Sequence, residues 1–223
     1  MVKKEKLPRA ARKTLAGTIL SAGMAVAVVS VIFFSWIAEE VFEGESLKLD
    51  NSVREFVHSY AAGWLTSAMQ FFAFLGSTAF LTAATVLCVL ILVFRRLYRP
   101  AVLLAVVMTG AVILNYALKV SLGRPRPLPF FDTPLPESFS FPSGHALFAV
   151  CFYGMLAWII TSKVKGRSLQ ISAWTIAALI ALLIGLSRVY LGVHFLTDII
   201  AGYAAAVVWI SVVVLADSVL DRS

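Results

Sequence analysis

An all-α integral membrane protein, built as a bundle of six transmembrane helices, is the fold class this sequence predicts. Three observations predict it. Of the 223 residues, 60% are hydrophobic and only 14% are charged, with a mean hydropathy of +0.90; soluble domains carry about 25% charged residues. The apolar residues fall into separate runs near the ~20 residues that cross a bilayer. The basic residues gather at the ends of those runs, the pattern that sets membrane topology. For that reason the net charge of +7 does not point to nucleic acid.

The runs, in order, are 15–37, 77–94, 101–118, 144–162, 170–187 and 195–216, and residues 1–223 read as a single membrane-embedded domain. The start, "MVKKEKLPRAARK", is basic, but the apolar run after it is too long for a signal-peptide core and no small-residue cleavage site follows. It reads as a retained first span. Basic clusters then alternate with the spans: Lys3, Lys4, Lys6, Arg9, Arg12 and Lys13 at the N-terminus, "RRLYR" (95–99), and "SKVKGR" (162–167). An even number of spans puts all three, and the C-terminus, on one side. The positive-inside rule makes that side cytoplasmic. The acidic "EEVFEGE" (39–45) lies opposite. Trp36 suits the outer interface, and Trp158, Trp174 and Trp209 suit the inner one.

Between spans one and two, Val53, Phe56, Val57, Tyr60, Ala61 and Trp64 repeat at helical spacing after Asp50 and Asn51, possible caps. This predicts an interfacial amphipathic helix on the outer surface, followed by a short apolar re-entry, Leu65 to Leu75, into span two. Gly202 and Ala206 form a small-xxx-small pair that lets span six pack closely. Cys88 and Cys151 lie inside apolar runs with no metal-type spacing, as free buried thiols do.

Four cations break the sidedness pattern. Lys119, Arg124 and Arg126 lie in "KVSLGRPRP" (119–127), and Arg188 in "SRVYLGVHFLTD" (187–198). Spans four and five separate the two stretches, so both reach one face. His145 opens span four on that face and His194 opens span six. The connection 119–143 holds six of the eight prolines and reads as a stiff external loop. One such cation alone is as readily a contact to lipid headgroups. The set, with two histidines, is an anion site with catalytic groups. Arginine forks match phosphate oxygens, and lysine adds a point charge. "PSG" before span four supplies free backbone N–H groups at a positive helix end, and Gly144 leaves room for a bulky anion.

Three signatures stand in order: Lys119, six residues, then Arg126-Pro127; Pro142-Ser143-Gly144-His145; and Ser187-Arg188, five residues, His194, three residues, Asp198. In these the chain resembles the type 2 phosphatidic acid phosphatase superfamily of membrane lipid phosphatases. The resemblance extends to the six-span layout. Arg124 lies in the variable part of the first signature.

His194 and Asp198, four apart, share a helix face if span six begins there. A carboxylate on one ring nitrogen fixes the tautomer and leaves the other nitrogen free to attack phosphorus. His194 is thus the expected nucleophile and His145 the general acid, roles that the resemblance also implies. Lys119, Arg126, Arg188 and the Ser143 and Gly144 backbone are expected to hold the phosphate oxygens. Ser187 suits a helix cap as well as a site role. His58, Asp132 and Glu137 read as surface groups. Two histidines and an aspartate can ligate zinc, but neighbouring cations repel a divalent ion, so no metal and no other cofactor is expected.

An anion transporter usually places charge near the bilayer midplane, whereas these spans are nearly free of it. A lipid-binding scaffold does not need the His194–Asp198 spacing. The expected partner is a membrane lipid with a phosphate or pyrophosphate headgroup, with no obligatory protein partner. The resemblance favours phosphatidylglycerophosphate as substrate, with undecaprenyl pyrophosphate, phosphatidic acid and diacylglycerol pyrophosphate as alternatives.

Overall fold

A computed structural model describes residues 9–131 and 135–220, with no account of the side chains of residues 9–20 and 22. Lys3, Lys4, Lys6 and Asp132 lie outside the described residues, as do the side chains of Arg9, Arg12 and Lys13. The described residues form eight α-helices and no strand: α1 Arg9–Phe42, α2 Leu47–His58, α3 Gly63–Leu75, α4 Thr78–Phe94, α5 Tyr98–Leu122, α6 Gly144–Lys163, α7 Arg167–Tyr190 and α8 Leu196–Leu220. Five are long and apolar enough to span a membrane, and α3 with α4 supplies a sixth span bent by 49°. The predicted six-span bundle is thus present, with helices that extend past the apolar runs.

The bend has a local cause. Gly76 ends α3, and the Ser77 side chain caps α4 by accepting from the Phe80 N–H at 3.3 Å. Gly76 also sits where no side chain fits, since an added Cβ would lie 2.3 Å from Ile184 and 3.2 Å from the His145 ring. The region 50–75 thus holds the expected helix, α2, followed by a short apolar helix, α3, that leads through the 49° bend into α4. A turn over residues 59–62 joins α2 and α3. Only part of the predicted apolar stripe turns inward. Val53 and Val57 pack on Ala146, Val189 and Ile199, while Phe56, Tyr60 and Trp64 face outward.

The main core lies among α4, α5, α6 and α8, where Leu81, Leu104, Val107, Ala111, Leu147 and Ala206 are fully buried. The predicted small-residue contact forms there. A Cβ at Gly202 would meet the Ser143 carbonyl at 2.6 Å, so glycine alone admits this approach of α8 to the start of α6. Trp209 departs from its expected interfacial place. Its indole donates to the Val107 carbonyl at 2.9 Å and fills the space above Gly110, because a buried Trp N–H takes a partner.

The helix directions define two rims. At one, Arg99 pairs with Asp217 at 2.8 Å, joining the start of α5 to the end of α8. The exposed Arg95, Arg96, Lys163, Lys165 and Arg167 lie on the same rim. At the other, Ile37 near the end of α1 packs with Phe141 and Ala201, beside the first turns of α6 and α8.

Candidate active site

α5 ends on Gly123 in the left-handed conformation (φ +61), whose N–H returns to the Lys119 carbonyl at 2.9 Å. The chain then leaves the bundle as the proline loop, whose backbone encircles two cations. Lys119 donates to the Phe139 carbonyl and to the Ser140 carbonyl at 3.4 Å. Arg126 donates to the carbonyls of Ser138 at 2.7 Å, Phe139 at 3.2 Å and Val193 at 3.0 Å. The loop is clamped from outside by α2. Arg54 donates to the Leu128 carbonyl at 2.5 Å and lies over Phe130, on which His58 stacks at 4.0 Å. His58 is thus a packing residue rather than a bare surface histidine.

His194 and Asp198 meet as their spacing predicts. Asp198 Oδ2 lies 3.1 Å from His194 Nδ1 and also accepts from the Phe195 N–H at 2.9 Å and the Ser140 hydroxyl. On the far side of the ring, Arg126 Nη1 is 3.1 Å from His194 Nε2. A guanidinium has no acceptor, so Nε2 carries the lone pair and the proton is on Nδ1. Burial pushes the His194 ring down to about 4, with Arg126 and Arg188 adding to the push and Asp198 opposing it. The ring is therefore neutral at ordinary pH. Burial also lowers Arg126, against the pull of Asp198.

His145, in the first turn of α6, lies within electrostatic reach of Arg188, His194, Arg126 and Lys119. Arg188, in the last turn of α7, is 7% exposed, and its Nε has no hydrogen-bond partner among the described residues. The Ser143 hydroxyl, fully buried, has none either. Every residue expected at the site is thus in one cluster, although two contacts differ from expectation. The Ser143 N–H is taken by the Asp198 carbonyl at 2.9 Å, which leaves its hydroxyl and not its backbone amide for a ligand. The space beside Gly144 is filled by Asn115, whose Oδ1 would be 3.0 Å from a Cβ there. Ser187 lies outside the cluster's chemistry, since its hydroxyl bonds back to the Ile184 carbonyl at 2.6 Å.

The PAP2 superfamily pattern matches residues 100–220. This chain belongs to the PAP2 superfamily. It is 32% identical over 174 residues to phosphatidylglycerophosphatase B of Bacillus subtilis, covering 78% of this chain and 85% of that one. The crystal structure of a transmembrane PAP2 type phosphatidylglycerolphosphate phosphatase from Bacillus subtilis superposes with a TM-score of 0.79 at 30% identity, covering 88% and 98% of the two chains. An undecaprenyl-diphosphatase of Sulfolobus acidocaldarius is 32% identical over 127 residues, 55% of this chain and 57% of its own. The protein is a multi-span membrane phosphatase of that superfamily.

Sequence reasoning missed three site residues. Ser140 lies in a loop with no periodicity to mark it. Asn115 reads as one polar residue on an apolar helix. Asp50 reads as a cap of its own helix, yet it is fully buried and accepts from the Thr197 N–H at 3.0 Å. It caps α8 from another helix, and only the fold brings the two together.

Proposed function

We propose that this phosphatase hydrolyses the phosphomonoester of phosphatidylglycerophosphate to phosphatidylglycerol through a phosphohistidine, without a metal ion. The observation that carries the chemistry is Arg188. A buried cation without a hydrogen-bond partner at Nε is costly, and here it stands with an unpartnered serine hydroxyl beside two histidines. A phosphate oxygen satisfies both.

The phosphate binds to Arg188, Arg126 and the Ser143 hydroxyl, with Lys119 adding positive charge from the loop. Arg126 passes from His194 Nε2 to a phosphate oxygen, which frees the lone pair. Nε2 then attacks phosphorus as the bond to the glycerol oxygen breaks. Asp198 stabilises the developing imidazolium, and His145 donates a proton to the leaving oxygen. A water enters, His145 takes its proton, and the oxygen attacks the phosphohistidine to release inorganic phosphate. The fixed cations supply the charge that magnesium supplies in other phosphoryl transfers. Among the described residues, no group of three histidine, cysteine or acidic side chains is arranged to hold a metal ion.

Similarity to the Bacillus enzyme favours phosphatidylglycerophosphate. Undecaprenyl pyrophosphate is the second reading, favoured by the Sulfolobus relative and by an opening on the external face. The basic rim lies opposite His194, and under the positive-inside rule this supports a site on the external face with both termini in the cytoplasm. A kinetic panel of phosphatidylglycerophosphate, undecaprenyl pyrophosphate, phosphatidic acid and diacylglycerol pyrophosphate tests the substrate. The highest kcat/KM belongs to the first, and a clear preference for another overturns the assignment. For the topology, Leu128→Cys in a Cys88→Ser, Cys151→Ser background should react with an impermeant maleimide in intact spheroplasts, and Ser168→Cys should not. The reverse pattern puts the site in the cytoplasm.

A further inference from the structure

Arg124 differs from the other cations of this rim. It forms a two-sided fork: Nη1 lies 2.7 Å from Asp198 Oδ1 and 2.8 Å from the Thr197 hydroxyl, while Nη2 lies 2.8 Å from Asp50 Oδ2. Its Cζ lies over the Phe195 ring, 4.2 Å from the centroid. Both carboxylates are fully buried, and Arg124 is 10% exposed. It grips the Asp198 oxygen that does not face His194.

We propose that Arg124 is a positioning residue, which fixes the rotation of Asp198 and through it the attacking geometry of His194, and that Asp50 holds Arg124 in place. The inference rests on His194 being the nucleophile, as proposed above. Asp198 has two oxygens and one must face Nδ1. Arg124 binds Oδ1, which commits Oδ2 to His194. Asp50 makes that grip rigid from two directions, since it accepts from Arg124 and from both the Thr197 N–H and hydroxyl, at 3.0 and 2.7 Å. The charges also require the set. Without Arg124, two buried carboxylates share a pocket with no cation between them. Without Asp50, one side of the fork has no acceptor. Because Asp50 is carried on α2, the amphipathic helix is wired to the catalytic dyad, as well as clamping the proline loop through Arg54.

Steady-state kinetics on the full chain in detergent micelles tests this, with phosphatidylglycerophosphate or whichever lipid of the panel it cleaves best, and with inorganic phosphate as competing anion. Arg124→Gln should lower kcat about 10- to 100-fold, the range seen when the hydrogen-bonding partners of metal ligands are removed, with KM and phosphate inhibition unchanged. Arg188→Gln should instead weaken phosphate inhibition. Asp50→Asn, which keeps an acceptor for Thr197, should lower kcat less than Arg124→Gln and also leave phosphate inhibition unchanged. If Arg124→Gln does not fold, Asp50→Asn carries the test by the same split. Loss of phosphate inhibition in Arg124→Gln to the extent seen in Arg188→Gln makes Arg124 a phosphate ligand and overturns the proposal, as does an unchanged kcat in folded Arg124→Gln. If His194→Ala retains turnover, the failure lies instead with the nucleophile assignment on which the proposal rests.

Discussion

Each rim of the bundle carries a set of cations, and the two sets are handled in opposite ways. Arg95, Arg96, Arg99, Lys163, Lys165 and Arg167 are all exposed. Lys119 and Arg188 are buried, and Arg124 and Arg126 are partly so. The exposed set rests in water and headgroups, and Arg99 among it pairs with Asp217 at the surface. The inner set is desolvated, and each member is assigned: Lys119 to loop carbonyls, Arg124 to two carboxylates, Arg126 to carbonyls and the His194 ring. Arg188 keeps a buried Nε with no hydrogen-bond partner among the described residues. Composition cannot tell the two sets apart. The difference is desolvation, which turns a weak surface charge into a strong binding element.

Substitutions at both rims test that contrast. The largest effect is expected at the dyad that the inner cations surround. His194→Ala should lower phosphate release on the order of 10⁴-fold or more, the scale of losing a triad member, in a protein whose detergent melting profile stays cooperative. Arg188→Gln should cost on the order of 10²–10³-fold in kcat/KM, as for a transition-state donor, and should also weaken inhibition by vanadate. A substitution at Arg188 without effect on either would mean that burial alone does not mark a working cation. Protonation offers a subtler probe. At about pH 5.5 an unperturbed histidine, with a value of about 6.5, is mostly charged, whereas His194 at about 4 should remain neutral and become protonated only below that. Nitrogen-15 NMR of histidine-labelled protein reads this directly, and a titration near 6.5 would contradict the burial and cation field inferred here. At the exposed basic rim, Arg167→Gln should change activity by no more than about twofold, as surface substitutions do. EDTA should change nothing, since the inner cations supply the charge; loss of activity restored by added zinc or magnesium would refute that.

Much of this was legible in the sequence, and the parts that were not share a cause. Spans two to six followed from apolar runs, because a bilayer imposes length and hydropathy on each helix independently. His145, His194, Asp198 and Arg188 were legible because their spacing brings them to helix ends on one face. Asp50 and Ser140 were not legible. Each acts across the fold, and a buried carboxylate capping a distant helix has the same local sequence as one capping its own. The break at Gly76 was legible, since that glycine separates the short apolar run 65–75 from the span that starts at 77. Trp209 was misplaced because interfacial preference is only a tendency, and a close-packed glycine opposite it offers a better site.

The hydrogen bond from Arg126 to His194 Nε2 has a consequence for what the enzyme ignores. The site lies in a sea of ordinary phospholipids, whose phosphodiesters carry one negative charge each. In this arrangement the lone pair of His194, the proposed nucleophile, is engaged by a guanidinium. A guest must compete for that guanidinium before it meets a reactive nitrogen. A terminal phosphate, with a second charge and three free oxygens, competes well; a diester, with one charge and two, competes poorly. Selectivity against the solvent lipid is then set before any chemistry begins, by a contest for one arginine, and the background of bulk lipid does not have to be excluded by shape.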